Sequence, residues 1–339
     1  MNTSDYIYIE NDSLDVYYNF ALEYYLTSEE LFRDKTVFLI WRTTPTVMVG
    51  KFQNTYEEIN QAYVDSKDIN VVRRMSGGGT IFTDLGGWQF TFIAPADGNS
   101  ISFREYTEPI IEALKNTGVD AYFDGRNDIL VDGKKVSGNA QYMRNGFVVH
   151  HGSLLYSTDL EMLERSTISD EKKLMSKGIK SVRERVGNIS DFIEKPMSMI
   201  EFRDMIIGTF IKDESQRVRL TADDHAILLG IAENRFNTWQ SIYGRNPEFE
   251  ITKTGRCTGG DIKCRMNIVK GRIDDIQITG NFFGNVDMSD ITGALKGCMY
   301  KYENVRKKLD DVMKGSDIMD VGPGDLAAAI CGKQQRNHK

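Results

Sequence analysis

The chain has 339 residues, with 42 Lys and Arg against 49 Asp and Glu, so its formal net charge is −7. This length favours about two domains, and 40% hydrophobic with 10% aromatic residues can bury a core, which excludes disorder as the main state. No apolar run approaches the ~18 residues of a membrane-spanning helix. The acidic N-terminal stretch lacks the apolar segment of a secretory signal, and the acidic balance argues against a general nucleic-acid binder. We therefore expect a cytoplasmic protein without membrane or nucleic-acid partners.

The predicted elements of the first half are strands and three helices. Ser13 is the candidate N-cap of the first helix, Gly118 ends the third, and Asp132-Gly133 between two β-rich runs is a hairpin signal. In chain order we predict a strand at 6–10, a helix at 14–32, strands at 36–42 and 46–50, a helix at 61–69, three strands within 70–94, a helix at 104–119, and strands within 121–131, 134–143 and 146–157.

The second half is predicted to be mostly helical up to residue 247, where the character of the chain changes. To that point there are 27 basic and 36 acidic residues, a net charge of −9, whereas the remainder has 15 and 13, a net charge of +2. We therefore predict a large domain at 1–247, a small domain at 248–332 and a tail at 333–339. Within the small domain, short strands over 263–284 precede three helices at 290–300, 302–314 and 322–330.

The four cysteines all lie in the last quarter of the chain, at Cys257, Cys264, Cys298 and Cys331. No pair has the C-x-x-C spacing of a zinc site, and the only histidine beyond residue 225 is His338, so we expect no zinc. A disulfide framework is not expected in a chain of this size without an export signal, which leaves free thiols. The first 256 residues contain no cysteine, so that part offers no thiol nucleophile.

A glycine-rich loop follows two arginines in the segment RRMSGGGTIF, residues 73–82. Three successive glycines let backbone N–H groups approach an anion, and the arginines supply forked donors for a carboxylate or phosphate. The segment is not a Walker A loop, because no Gly-Lys-Ser/Thr follows. It is not a dinucleotide fingerprint either, because strands are predicted on both sides. By itself it predicts an anion site beside a loop.

Three further segments contain polar residues in positions that suit a site. In GRNDILVDGKKVSGNA (125–140), a hairpin brings Asn127 and Asp128 alongside residues 135–139, and Lys135 faces the open side if Val136 faces the core. In HHGSLL (150–155), the adjacent histidines point to opposite faces, so we expect one structural and one site-facing ring. The glycine-bounded segment 177–188 is rich in Lys and Arg, which suits a polyphosphate or acidic partner.

These four segments occur in one order and at plausible distances, and together they closely resemble the lipoate–protein ligase A family. The resemblance covers nearly the whole chain, including NFALEYYL, TVMVGKFQNTYEEIN and the W-x-x-x-Y-G-x-x-P-x-F stretch at 239–249. It implies an α+β fold, with the mixed sheet and flanking helices of class II aminoacyl-tRNA synthetases and biotin protein ligases, plus a small α+β C-terminal accessory domain. It also implies that lipoate is activated with ATP and Mg2+ to lipoyl-AMP, releasing pyrophosphate. The lipoyl group then passes to a lysine of a lipoyl carrier domain, in a glycine-cleavage H-type protein or a 2-oxoacid dehydrogenase E2 subunit.

The resemblance assigns site residues by motif. Lys135 matches the family's central lysine and is the catalytic candidate, and Asp128 is the candidate metal ligand. The residues implied for ATP and the adenylate are Arg74, Gly79, Thr80, Ile81, Phe82, Asn127, Asp128, Lys135, Lys177, Ser181 and Arg183. The residues implied for lipoate are Ser76, Gly77, Gly78, Lys135, Ser137, Gly138, Asn139, Ala140, His151, Gly152 and Ser153.

One position departs from the family pattern. Where the family usually has a histidine before the aspartate that follows the glycine loop, this chain has Thr83 before Asp84. Threonine does not titrate near neutral pH, so a base or charged donor is missing there. This departure leads to the hypothesis of a specialised paralogue that serves one carrier, such as an H-type protein.

Three alternative readings remain for comparison. Acyl transferases of the same fold use an active-site cysteine, which the predicted catalytic domain lacks. Biotin protein ligases have a Gly-Arg-Gly-Arg adenylate loop that is absent here. A catalytically degenerate binder of lipoate or adenylate is the alternative of a different class. The presence of Arg74, Asn127, Asp128 and Lys135 together weighs against it.

Overall fold

The computed structural model describes residues 6–28, 32–53, 55–96, 101–167, 185–242, 251–269, 272–300, 302–314 and 318–331. Within these ranges the chain forms an eight-stranded mixed sheet and two three-stranded sheets, with helices packed on them. No helix among the described residues combines the length and the apolar character needed to cross a membrane. The predicted domain boundary at 247 and the tail lie outside the described residues.

The strands are numbered in chain order. They are β1 Tyr6–Ile9, β2 Thr36–Trp41, β3 Thr46–Val49, β4 Asn70–Arg73, β5 Ile81–Thr83, β6 Gly87–Pro95, β7 Tyr122–Phe123, β8 Asp128–Val131, β9 Lys134–Arg144, β10 Phe147–Leu155, β11 Arg217–Val218, β12 Ile251–Cys257, β13 Gly260–Val269 and β14 Arg272–Gly280.

The helices are numbered in the same way. They are α1 Val16–Leu26, α2 Thr55–Glu58, α3 Gln61–Ser66, α4 Arg104–Lys115, α5 Leu160–Ser166, α6 Met199–Phe210, α7 Ala222–Ile231, α8 Trp239–Ile242, α9 Met288–Leu295, α10 Tyr302–Val312 and α11 Pro323–Cys331.

The main sheet has the strand order β11-β1-β2-β6-β10-β9-β8-β7. β1 runs parallel to β2 and β11, and the remaining neighbours are antiparallel. One of the small sheets has the strand order β4-β3-β5. The glycine loop connects β4 to β5, so both of its ends are fixed by strands that pair with β3.

Residues that alternate along the sheet separate into two buried layers. On one face, aromatic side chains such as Phe38 and Phe92 pack with α4 and α6. On the other face, Leu39 and Ile93 pack with α1 and α7. Because paired residues in a sheet share a face, the row Trp41, Gln89 and Ser153 crosses three strands on the α1 side. This row forms the floor of the pocket described below.

Most predicted elements form, and the deviations are mainly at their ends. The first helix begins at Val16 rather than 14, because the Asp15 carboxylate caps the backbone N–H of Tyr17 and Tyr18. The prediction of Ser13 as the cap is wrong, since its hydroxyl instead accepts a hydrogen bond from the Asp15 backbone. The same helix ends at Leu26, well before the predicted residue 32.

Turn chemistry is where the sequence predicts the backbone best. Asp132 and Gly133 have φ of 49° and 74°, the left-handed pair that a tight hairpin needs, so the predicted turn between β8 and β9 is confirmed. Gly118, with φ 83°, follows the end of α4 as expected.

The accessory domain is a β12-β13-β14 antiparallel meander covered by α9, α10 and α11. Its first strand was not predicted, because residues 251–257 mix charged, glycine and β-branched residues without clear alternation. Cys257, Cys264 and Cys298 are free thiols, as expected, and Cys264 and Cys298 are buried in this domain's core.

Candidate active site

One pocket brings most of the predicted site residues together. It encloses about 540 Å3 of empty space, part of it open to solvent. Of the predicted residues, twelve line it: Arg74, Gly79, Thr80, Ile81, Asn127, Lys135, Gly138, Asn139, Ala140, His151, Gly152 and Ser153. Five others that were not predicted also line it: Phe20, Trp41, Met48, Gln89 and Phe283. Helical spacing could have pointed to Phe20 on α1, but no local signal marks the others, because tertiary packing brings them here.

The side chain of Lys135 passes over Gly138 and pairs with Asp128. Its Nζ lies 2.7 Å from Asp128 Oδ1, and both side chains are about a quarter to a third exposed (32% and 24%). The backbone at Lys135 is fixed by the hydrogen bond that the Gly187 N–H donates to its carbonyl, at 3.0 Å. Gly138 leaves the space for this trajectory, since a Cβ there would lie 2.7 Å from Lys135 Nζ. The ammonium is thus positioned by an ion pair and exposed to the pocket.

Arg74 holds the glycine loop from within. Its side chain is buried and donates hydrogen bonds to the carbonyls of Met48, Gly77 and Gly79 and to Ser76 Oγ, at 2.6–3.1 Å. Burial lowers the pKa of this guanidinium to about 10, which leaves it charged at neutral pH. Most of its donors are engaged by the loop, so Arg74 shapes the loop as well as facing the pocket.

His151, on the pocket wall, belongs to a buried network of polar side chains. His151 Nδ1 lies 3.2 Å from both carboxylate oxygens of Glu23, which is fully buried on α1. Thr91 Oγ1 donates to the same carboxylate at 2.6 Å, and His151 Nε2 shares a 2.6 Å hydrogen bond with Ser76 Oγ. Ser76 Oγ also accepts a hydrogen bond from Arg74 Nε, which joins Arg74 to this network. Glu23 was not predicted, because a single acidic residue on a helix of mostly hydrophobic side chains forms no motif.

The two adjacent histidines face opposite sides of the sheet, as their alternation predicts. His151 lines the pocket, whereas His150 stacks on Tyr106 with ring centroids 4.9 Å apart. Burial lowers the pKa of His150 well below its ordinary value, so this ring is neutral and structural.

Several predicted residues lie beside the pocket rather than on its wall. Phe82 is buried in the core with Val47 and Ile59, so only its backbone remains for a ligand. Ser137 is buried and accepts a hydrogen bond from Asn139 Nδ2 at 3.3 Å. The remaining four contact residues on or next to the wall. Ser76 shares a hydrogen bond with His151, and Asp128 pairs with Lys135. Gly77 and Gly78 lie against residues 282 and 283.

The predicted loop residues Lys177, Ser181 and Arg183 lie outside the described residues. The described residues on either side of this loop each form a β-bridge to the large domain, and one of these bridges is to Lys135. Thr167 bridges to Ile59 beside α2, and Val186 bridges to Lys135.

Thr83, which departs from the family pattern, is fully buried on β5. Its Oγ1 accepts a hydrogen bond from Gln89 Nε2 at 2.9 Å. Because Gln89 lines the pocket floor, this hydrogen bond connects Thr83 to the pocket.

The chain matches two family models. The lipoyl protein ligase A/B catalytic domain covers residues 15–211, and the bacterial lipoate protein ligase C-terminus covers residues 246–330. Lipoate–protein ligase 1 of Staphylococcus aureus is 37% identical over 307 residues, which span 90% of this chain and 93% of that protein. Lipoate-protein ligase LplJ of Bacillus subtilis is 37% identical over 318 residues, spanning 92% and 95% of the two chains.

This chain belongs to the lipoate–protein ligase family. The resemblance drawn from the motifs is confirmed, and so is the expected ligase activity.

Solved structures of ligases share the fold. LipL1 of P. falciparum in complex with lipoate superposes with a TM-score of 0.76 at 22% identity, covering 96% of this ligase and 98% of that chain. A structure from the archaeal lipoylation system of Thermoplasma acidophilum, described as a bi-partite lipoate protein ligase and its E2 lipoyl domain, gives a TM-score of 0.62 at 26% identity, covering 73% and 99% of the two chains. A lipoate-protein ligase A bound with ATP gives 0.60 at 24% identity, covering 71% and 99%. The expected α+β class, a mixed sheet with flanking helices and a small C-terminal domain, is confirmed.

Proposed function

We propose that this ligase activates lipoate with Mg-ATP at Lys135 and then transfers the lipoyl group to the ε-amine of a carrier lysine. The observation that carries the proposal is the polarity of a single pocket. The lining combines the Lys135 ammonium on β9 with the apolar side chains of Phe20, Trp41 and Met48, and Trp41 lies on β2, separated from β9 by the strands β6 and β10. An acid with a long apolar tail suits this arrangement, because its carboxylate meets the cation while its tail leaves water.

Lys135 performs the electrostatic part of the first step. Its ammonium pairs with the lipoate carboxylate and then with the α-phosphate oxygens, which gain charge as the carboxylate attacks in line. Asp128, at 2.7 Å, holds the ammonium at the wall until the substrates arrive. Because the side chain is fixed between Asp128 and Gly138, little reorganisation is needed when the charge develops.

The nucleotide is held by the glycine loop and the residues that face it. The loop at Gly79 and Thr80 supplies backbone and hydroxyl groups, and Asn127 lies on the opposite wall. We propose that Lys177, Ser181 and Arg183 also contact the nucleotide. They lie in the segment between Thr167 and Val186, and Val186 forms a β-bridge with Lys135. A mixed anhydride needs protection from water, which favours such a covering segment.

Magnesium is proposed to be held by Asp128 together with the substrate phosphates. No group of three acidic, histidine or cysteine side chains that could form a metal cage occurs among the described residues. One carboxylate, that of Asp128, together with substrate phosphates fits Mg2+. This ion commonly takes one or two carboxylates and completes its shell with phosphate oxygens and water. When bound, the ion neutralises phosphate charge.

The acceptor is proposed to be a lipoyl carrier domain of an E2 subunit or an H-type protein, in the cytoplasm. The archaeal lipoylation system, in which a lipoate protein ligase is named together with its E2 lipoyl domain, supports the general class of partner. The choice between the two carriers, including preference for an H-type protein because of Thr83, remains a prediction. We also propose residue 247 as the boundary between catalytic and accessory domains.

The test compares Lys135→Met with Lys134→Met, its exposed neighbour on the same hairpin. Lipoate-dependent ATP–pyrophosphate exchange is expected to fall about 100-fold or more in the first variant, because the preorganised charge is lost. It is expected to stay near the wild-type value in the second. Wild-type protein is then given lipoate, Mg-ATP and each carrier separately, and the carrier mass is followed. Near-normal exchange by Lys135→Met would disprove the mechanism, and absence of any adenylate from wild type would favour a non-catalytic binder.

A further inference from the structure

Glu23 is a fully buried carboxylate on α1, a helix of mostly hydrophobic residues. Such a group is costly to bury unless hydrogen-bond donors face it. Thr91 Oγ1 lies 2.6 Å from Glu23 Oε1, and His151 Nδ1 lies 3.2 Å from both carboxylate oxygens. Because Trp41 Nε1 donates to Thr91 Oγ1 at 3.3 Å, the hydroxyl hydrogen of Thr91 is left for the carboxylate. Glu23 therefore acts as an acceptor, and it faces the ring of a residue that lines the pocket.

The hydrogen bonds around His151 select one tautomer of its ring. An ionised carboxylate only accepts, so Glu23 requires a hydrogen on Nδ1. The other ring nitrogen, Nε2, lies 2.6 Å from Ser76 Oγ, and this hydroxyl accepts from Arg74 Nε at 3.1 Å. Those two nitrogens are the partners of the Ser76 hydroxyl among the described residues, so its own hydrogen is left to donate to Nε2. A ring with a hydrogen on Nδ1 and none on Nε2 satisfies every group.

These hydrogen bonds run in one direction, from the glycine loop to α1. Arg74 donates to Ser76, Ser76 donates to His151, and His151 donates to Glu23. The Arg74 guanidinium also donates to the carbonyl of Gly79 at 2.6 Å, so the same series holds the backbone of the loop. With the opposite tautomer, His151 Nε2 and Arg74 Nε would both donate to Ser76, and the hydroxyl hydrogen would lose its acceptor. The start of the loop would then be held less firmly.

We propose that Glu23 is a positioning residue that fixes the Nδ1–H tautomer of His151 and, through Ser76, holds the glycine loop in place for adenylate formation. The inference rests on the proposed function, in which Gly79 and Thr80 of that loop face the nucleotide. The partner of one imidazole nitrogen decides which of the two nitrogens carries the hydrogen. A loop held by hydrogen bonds of fixed direction needs little reorganisation when charge develops on the phosphate.

Nitrogen-15 NMR of the imidazole rings in the full-length chain tests the tautomer independently of activity. The chain has four histidines, and His151→Gln identifies the signals of ring 151 by their loss. Wild type at neutral pH is expected to carry a hydrogen on Nδ1 and none on Nε2. Glu23→Met keeps an unbranched side chain but removes the acceptor, so the hydrogen is expected to move to Nε2, where Ser76 still accepts it. A wild-type ring with a hydrogen on Nε2 overturns the proposal, whether or not Glu23→Met is stable.

A double-mutant cycle tests whether the effect of Glu23 reaches the loop through Ser76. In lipoate-dependent ATP–pyrophosphate exchange, kcat/KM is expected to fall about tenfold in Glu23→Met, the order expected when one buried hydrogen bond is lost. In the Ser76→Ala background, where the series is already interrupted, the same substitution is expected to change kcat/KM by less than about twofold. A merely structural role of Glu23 would lower kcat/KM by the same factor in both backgrounds, and this additive result overturns the proposal.

Glu108→Met is the matched control. Glu108 lies on the surface of α4, where its side chain is 46% exposed and pairs with Arg104. The same substitution there is expected to leave both the exchange and the signals of ring 151 as in wild type, and thermal unfolding checks the fold of each variant. Absence of lipoate-dependent exchange from wild type would refute the proposed function, whereas the protonated nitrogen of ring 151 would still decide what Glu23 does to the ring.

Discussion

Gly138 lies beneath the side chain of Lys135. A Cβ at position 138 would stand 2.7 Å from Lys135 Nζ and 2.8 Å from its Cε. The backbone at 138 is an ordinary strand without positive φ, so what requires glycine is the lysine above it.

Gly138→Ala is therefore expected to reduce activity without unfolding the chain. The added methyl group displaces the flexible end of Lys135, and a displacement of about 1 Å can reduce the rate by about 100-fold. ATP–pyrophosphate exchange checks the rate, and thermal unfolding checks the fold. Gly293→Ala is the control, because that glycine lies in α9 with open space around its Cα. Equal exchange by the two variants would contradict the role of Gly138.

Thr83→Val is expected to weaken lipoate binding. The substitution removes the acceptor of the Gln89 Nε2 hydrogen bond, and a buried donor without a partner costs about 1–3 kcal/mol. Gln89 then reorients on the pocket floor, so KM for lipoate is expected to rise several-fold while kcat changes little. Thr83→Ser retains the hydroxyl and is expected to behave as wild type. If valine and serine give the same KM, the Gln89 contact does not affect the substrate.

The stability of the ligase is expected to depend on pH through His150. Burial lowers the pKa of His150 well below 6.5, so the folded state keeps a neutral ring while the unfolded chain takes up a proton below that pH. The contribution is fully present above pH 6.5 and is lost as the pH falls below it, by about 1.4 kcal/mol per pH unit.

Urea unfolding at two pH values checks this dependence. Between pH 7.5 and 5.5 the free energy of unfolding of wild type is expected to fall by about 1.4 kcal/mol more than that of His150→Gln, which has no titrating ring. The comparison of slopes cancels the other titrating groups and the constant cost of the substitution. Identical losses in the two proteins would show that His150 is not the source.

The sequence alone determined the features that depend on local chemistry. The Asp132-Gly133 turn follows from two residues that tolerate left-handed φ, and it pairs β8 with β9 so that Asp128 lies opposite Gly138. The opposite orientation of His150 and His151 follows from the period of a strand. The motifs, taken together, identified the family because they recur in order along one chain.

Tertiary structure decided what no local pattern contains. Trp41 and Gln89 reach the pocket because strand pairing aligns them with Ser153 across the sheet. Glu23 reaches His151 because α1 packs over that face, and Phe283 comes from a different domain, 148 positions after Lys135. Contacts between residues so far apart depend on how whole elements pack, and the free energy of that packing is shared among many side chains rather than encoded in any one segment.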